Sequence, residues 1–189
     1  YNSFHYWTNY SKWKHWINPA TPLPTPVDTT PDIIGAFEGG FTFARGIYRP
    51  SLRCKMNTPE EPFCAVCNEA LVLQIFRQAT PIDSVWPKAY RNEDSVADTL
   101  KIGLSDSLKF QAKIFPNLPA QTSWYLNGVL QPGRDSVFIL HYGMVGESLQ
   151  RLMLSVRDTT NFVRNDPDSV LVQRRYWMVK GDSSVVGIE

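Results

Sequence analysis

Two hydrophobic periods divide this chain. Between Phe63 and Phe76 apolar side chains fall at Phe63, Val66, Cys67, Ala70, Leu71, Leu73, Ile75 and Phe76, with Glu69, Gln74, Arg77 and Gln78 on the remaining arc. That spacing is close to the helical repeat and predicts one buried helix of about four turns. Beyond Gln78 the period becomes two. Leu108, Phe110, Ala112 and Ile114 alternate with Lys109, Gln111 and Lys113, and Val137, Ile139 and His141 alternate with Phe138 and Leu140. Trp124 and Leu126 lead into Asn127-Gly128, the strongest hairpin signal in the chain, because both turn positions need positive φ. Residues 149–157 and 173–180 supply two further strands, and 79–87 is an extended stretch bounded by prolines.

Six or seven short strands with turn signals between them predict an antiparallel β-sandwich of immunoglobulin-like type over residues 80–189. Trp124-Tyr-Leu-Asn-Gly128 resembles the third strand and hairpin of Ig-like or polycystic-kidney-disease-like modules, which implies Trp124 as the core tryptophan. No cysteine follows Cys67, so this half must rely on apolar burial. The whole is an α+β chain with a division at 79/80.

The first half is punctuated differently. Phe4, Tyr6, Trp7, Tyr10, Trp13, Trp16 and Ile17 recur at spacings of three and four, with Thr8 or Asn9 placed to cap a short helix through Ile17. Aromatics so spaced are core more often than a binding stripe. Prolines at 19, 22, 24, 26 and 31 predict extended, solvated backbone. Residues 33–45 read as short extended pieces around a turn. Gly46, Pro50, Pro59 and Pro62 then make a stiff loop ahead of the helix, since proline fixes its own φ and restricts the residue before it.

Composition narrows the classes. The 189 residues are 43% hydrophobic and 20% charged, with a formal net charge of +1. Nucleic acid as a partner is not expected, because it demands a concentrated basic surface. No apolar run approaches the roughly 20 residues that span a bilayer, and the chain opens on Tyr1-Asn2 without a signal peptide. Three cysteines permit one disulfide and leave one thiol; Cys54 with Cys64 or Cys67 are the candidates. A single Cys-x-x-Cys is weak evidence for metal or redox chemistry, so structural use is the expected one.

The order Phe37-Glu-Gly-Gly40, Gly46-Ile-Tyr-Arg-Pro50, Cys54-x-Met56, Phe63-Cys-x-Val-Cys67 and Glu69-Ala70, preceded by Lys12-Trp-Lys14 and Thr21-Pro-Leu-Pro-Thr-Pro26, resembles the end of the catalytic domain of peptidase family M64. These are the IgA peptidases or igalysins, metzincin-like zinc endopeptidases. The resemblance covers residues 1–79. It implies that Met56 is the methionine of the turn beneath the zinc and that the following helix closes the catalytic domain. It also implies zinc as the cofactor of the full protein, a protein or peptide substrate, and a secreted, periplasmic or cell-surface location.

A catalytic zinc needs three protein ligands and an open fourth position, commonly two histidines one turn apart with a glutamate between them. This chain has only His5, His15 and His141, none in that arrangement. The zinc motif is expected upstream, and this chain alone is expected to be inactive, with no metal ligand of its own. Tyr48 and Arg49 are candidate cleft residues, Arg49 as a clamp for a substrate carboxylate or carbonyl or as one half of an ion pair. Glu38 either orients a neighbour in the cleft or pairs with Arg45 or Arg49. Asp158, Asp166 and Asp168 form an oxygen-rich stretch that could take calcium, although the spacing does not fit an EF-hand. The alternatives are a non-catalytic surface binding or adhesion protein with an Ig-like module, and a peptidase homologue that has lost its zinc motif.

Overall fold

Residues 12–28, 32–92, 94, 98–133 and 135–184 are described by a computed structural model. Phe4 to Tyr10 and Pro31, and with them the N-terminal part of the expected aromatic helix and His5, lie outside the described residues. The model is mostly β-sheet with few helices, and the chain divides into two compact units. One holds the described residues of 1–75 together with 161–168; the other holds those of 76–160 and 169–189.

The first unit opens with a single 3-10 turn at Lys14–Trp16. Trp13, just before it, is fully buried against Ala36, Tyr48 and Val66, and its indole N–H donates to the Gly35 carbonyl at 2.8 Å. The proline-rich stretch is less solvated than its composition suggests. Thr25 is buried: its hydroxyl donates to the Pro22 carbonyl and accepts the Ala36 N–H, both at 2.9 Å. Only glycine fits at position 35, because a Cβ there would run into the Thr25 side chain. Strands β1 (Phe37–Gly40) and β2 (Phe43–Arg49) follow as an antiparallel hairpin. Its turn falls on Phe41 and Thr42, with φ of 50° and 71°, values that cost a non-glycine residue conformational energy.

The predicted helix is present as α1 (Ala65–Gln78), 14 residues or about four turns. It is not buried throughout. Val66, Cys67 and Glu69 are buried, whereas Leu71 and Ile75 are exposed.

The second unit contains β3 (Ile82–Trp86), β4 (Thr99–Ile102), β5 (Ser107–Ile114), β6 (Ala120–Leu126), β7 (Val129–Leu130), β8 (Val137–His141), a one-turn helix α2 (Tyr142–Val145), β9 (Gln150–Asp158) and β10 (Val172–Gly181). They form a five-stranded sheet in the order β4-β10-β9-β6-β7 and a three-stranded sheet in the order β3-β5-β8. The two-residue period decides the faces. Phe110 and Ala112 of β5, Phe138 and Leu140 of β8, and Leu152, Leu154 and Val156 of β9 all enter one core, while Lys109, Gln111 and Lys113 point outward. Asn127 and Gly128 carry φ of 48° and 81° and turn β6 into β7.

The sheet is not antiparallel throughout, contrary to the sequence expectation. β4 runs parallel to β10, with Thr99 opposite Met178 and Ile102 opposite Gly181. This pairing joins stretches about eighty residues apart, clipped by Lys101 Nζ on Asp182 Oδ2 at 2.9 Å, and local alternation carries no trace of it. The core is centred on aromatic rings. Trp124 stacks on Phe138 and Trp177 at centroid distances of 5.3 and 5.7 Å, and Phe110 meets Trp177 edge-on at 5.2 Å. Both buried indoles are satisfied, Trp124 on the Asp135 carbonyl and Trp177 on the Pro87 carbonyl, each at 3.0 Å.

Trp177 touches both Trp124 and Phe110, so Trp177→Ala should leave a cavity that its rigid neighbours cannot fill. The expected cost is about 3–5 kcal/mol, read as a lowered urea midpoint of this unit.

Candidate functional site

The loop after β2 builds a hollow from residues that are distant in type but close in chain. Cys54 accepts at its carbonyl from the N–H groups of Asn57 and Thr58, at 2.8 and 2.9 Å, which closes a tight turn with Met56 at its tip. Lys55 N–H, bound to the Pro62 carbonyl at 2.9 Å, holds the two ends of the loop together. Met56 is 69% exposed; the default reading of a loop methionine, a gap-filler in a core, does not apply. Its side chain lines an apolar hollow of about 550 Å³ with Phe41 and Phe43 of the hairpin and Ile47 and Arg49 of β2. Phe41 is 78% exposed at the rim.

Strand alternation separates the two candidate cleft residues. Ile47 and Arg49 face the hollow, whereas Tyr48, expected beside Arg49, is 5% exposed and lies in the core with Trp13 and Val66. Arg49 donates from Nη1 to Asn57 Oδ1 at 2.9 Å, while its Nε is buried with no hydrogen-bond partner among the described residues. Glu38, expected on Arg45 or Arg49, instead accepts the Gly46 N–H at Oε1, 3.1 Å across the hairpin.

Beneath the hollow the three cysteines converge as free thiols. Cys54 Sγ is 3.6 Å from Cys67 Sγ, a thiol–thiol contact and not the roughly 2.05 Å of a disulfide. Asn68 N–H donates to the Cys64 carbonyl at 2.9 Å, which puts Cys64 at the N-terminal cap of α1 and Cys67 one turn on. The hydrogen bond from the Cys67 thiol, helped by the Cys67 and Val66 N–H groups of the helix start, lowers the Cys64 thiol from 9.0 to about 6. The same bond, with burial, pushes the Cys67 thiol far up.

The structure also singles out a residue that the periodicity placed on the polar arc. Glu69 is 6% exposed; its Oε1 lies 2.5 Å from His15 Nε2, and its Oε2 accepts the backbone N–H groups of Arg164 and Asn165 at 2.7 and 3.4 Å. The Arg164 guanidinium in turn sits 4.0 Å above the Trp16 ring. A single acid inside a helical pattern carries no signal of this, since its partners are about 54 and 95 residues away. Asp158, a candidate calcium ligand, spends its carboxylate on the Thr160 N–H and hydroxyl at 3.0 and 2.8 Å. Among the described residues, the three cysteines converge as a group able to share a cation.

Comparison with known proteins agrees with part of this picture. Residues 27–75 match the family model of IgA Peptidase M64, the stretch that holds the hairpin, the Met56 turn and most of α1. No curated protein matches the chain. Among solved structures, a quinonprotein alcohol dehydrogenase-like protein from Bacteroides thetaiotaomicron is similar at 9% identity and a TM-score of 0.35, over 50% of this chain and 20% of that one. SGBP-B of the Bacteroides ovatus mixed-linkage glucan utilization locus, in complex with a mixed-linkage heptasaccharide, is similar at 10% identity and a TM-score of 0.38, over 53% and 24%. The chain spans no more than about a quarter of either. No helix among the described residues is long and apolar enough to cross a membrane.

Two outcomes follow from this geometry. Glu69→Ala leaves buried donors without an acceptor, and the first unit should lose about 1–3 kcal/mol in chemical denaturation. An acid whose value falls on folding is ionised from the lower value upward. Iodoacetamide should therefore modify Cys64 in the reduced, folded chain with a midpoint near pH 6, moving toward 9.0 on unfolding, while Cys67 stays inert; peptide mapping reads both.

Proposed function

We propose that the first unit is the closing part of the catalytic domain of an M64-like, secreted zinc endopeptidase, and that the second unit is an immunoglobulin-like module attached to it. The observation that carries the reading is the exposed Met56 at the tip of a stiff turn, lining an apolar hollow inside the stretch that matches the family. The order β4-β10-β9-β6-β7 facing β3-β5-β8, with stacked tryptophans between, supports the second half of the reading.

The residues present do not fit a catalytic zinc. His15 is engaged by Glu69, His141 lies on a strand of the other unit, and no His-Glu-x-x-His occurs in the chain. Zinc-bound water and its general base therefore belong to a different segment of the full protein, and no step of hydrolysis is assigned to these side chains. What this chain contributes is a shaped wall: Met56, Phe41, Phe43 and Ile47 give it an apolar lining, and Arg49 adds a guanidinium that could meet a substrate carbonyl or carboxylate.

The test is a longer chain that includes the residues upstream of Tyr1, assayed for zinc content and for cleavage of a denatured protein. Chelator-sensitive cleavage, and one zinc beyond whatever the 189-residue chain itself holds, are expected there, with no cleavage by the 189-residue chain. Met56→Ala in the longer chain should weaken zinc retention by about 10–100-fold without unfolding it, as loss of a supporting contact does. A longer chain without the paired histidines, or one that holds zinc and cleaves nothing, overturns the reading.

A further inference from the structure

We infer that Cys54, Cys64 and Cys67 form a thiolate site for Zn2+, separate from any histidine-based catalytic centre. The three Sγ atoms all lie within 4.8 Å of one another, and Cys54 and Cys67 are 3.6 Å apart. Zinc–sulfur bonds of about 2.3 Å at tetrahedral angles place neighbouring sulfurs about 3.8 Å apart, so the arrangement is close to a ligand set that only a small inward movement would complete.

The backbone is organised for this. Cys64 and Cys67 stand one turn apart at the start of α1, and Cys54 is fixed across from them by its own turn, with the Cys64 N–H donating to Cys54 Sγ at 3.4 Å. An N–H aimed at a sulfur is the outer-shell support that holds a thiolate ligand in place. Cys54 and Cys67 are buried and line the floor of the apolar hollow, so the fourth position of a tetrahedral ion would face that hollow. Three thiolates and Zn2+ leave one negative charge, and Arg49 on the wall of the same hollow is a cation that would offset part of it. Thiolate sets of this kind select soft ions such as Zn2+ over Mg2+ or Ca2+. The inference uses cysteines of this chain alone and does not rest on the peptidase reading.

The experiment is a Co2+ titration of the reduced 189-residue chain under anaerobic conditions. Expected are thiolate-to-cobalt charge-transfer bands that saturate at one equivalent, their loss on adding Zn2+, and protection of Cys64, the reactive thiol of the metal-free chain, from a thiol reagent in the zinc-loaded native chain. Cys64→Ser and Cys67→Ser should each weaken binding by more than about tenfold, and His141→Ala should leave it unchanged. Circular dichroism of each variant separates lost binding from lost folding, and the spectrum of the unaltered chain decides the matter by itself. Absence of the charge-transfer bands, or zinc uptake that leaves Cys64 as reactive as in the metal-free chain, overturns the site. So does a chain that under the same reducing conditions keeps a Cys54–Cys67 disulfide and takes up no metal. None of these readings involves peptide cleavage, so this site and the peptidase proposal stand or fall independently.

Discussion

A carboxylate that is 6% exposed must have its charge answered, and Glu69 is answered three times. Its two oxygens reach one imidazole and two backbone N–H groups, on stretches that the chain keeps far apart. The first unit is assembled around that demand. The small core of Trp13, Ala36, Tyr48 and Val66 supplies apolar burial on one side, and the polar knot fixes which segments can approach α1 on the other. Residues 161–168 count with the first unit for this reason, although in sequence they fall between β9 and β10.

The second unit is governed by a different economy. It has no cysteine, and the core cluster among its described residues is apolar; its order comes from large rings that can meet in few ways. Trp124, Trp177, Phe110 and Phe138 interlock, and each indole N–H finds a carbonyl, so burying two polar-tipped rings leaves no polar atom stranded. Surface pairs such as Lys113 with Asp83, 3.0 Å apart and both solvent-exposed, add little to this.

Local signals were legible and long-range ones were not. The extent of α1, the alternation in β5, β8 and β9 and the Asn127-Gly128 turn all follow from spacing that side-chain period alone encodes. The place of Trp124 in the core was implied by a likeness of Trp124-Tyr-Leu-Asn-Gly128 to a known strand and hairpin, and the ring is 1% exposed. The parallel pairing of β4 was hidden, because Thr99–Ile102 contacts a strand that comes about eighty residues later. The burial of Glu69 was hidden for the same reason. Tyr48 was assigned to the wrong face because the end of β2 was read as loop, where alternation has no force; as strand, positions 47 and 49 share one side and 48 the other. The convergence of the cysteines was half visible: the helical pair announced itself, but the distance to Cys54 depends on how the proline-bounded loop closes.

The turn at Phe41 and Thr42 has a mechanical consequence. Two consecutive residues with side chains hold left-handed backbone there, and the first of them carries an aromatic ring that stands largely in solvent. The ring already lines the hollow from that turn, and carrying the turn to an ordinary backbone conformation would reverse the sign of two φ angles together, so the shape of this edge is tied to the backbone of the hairpin.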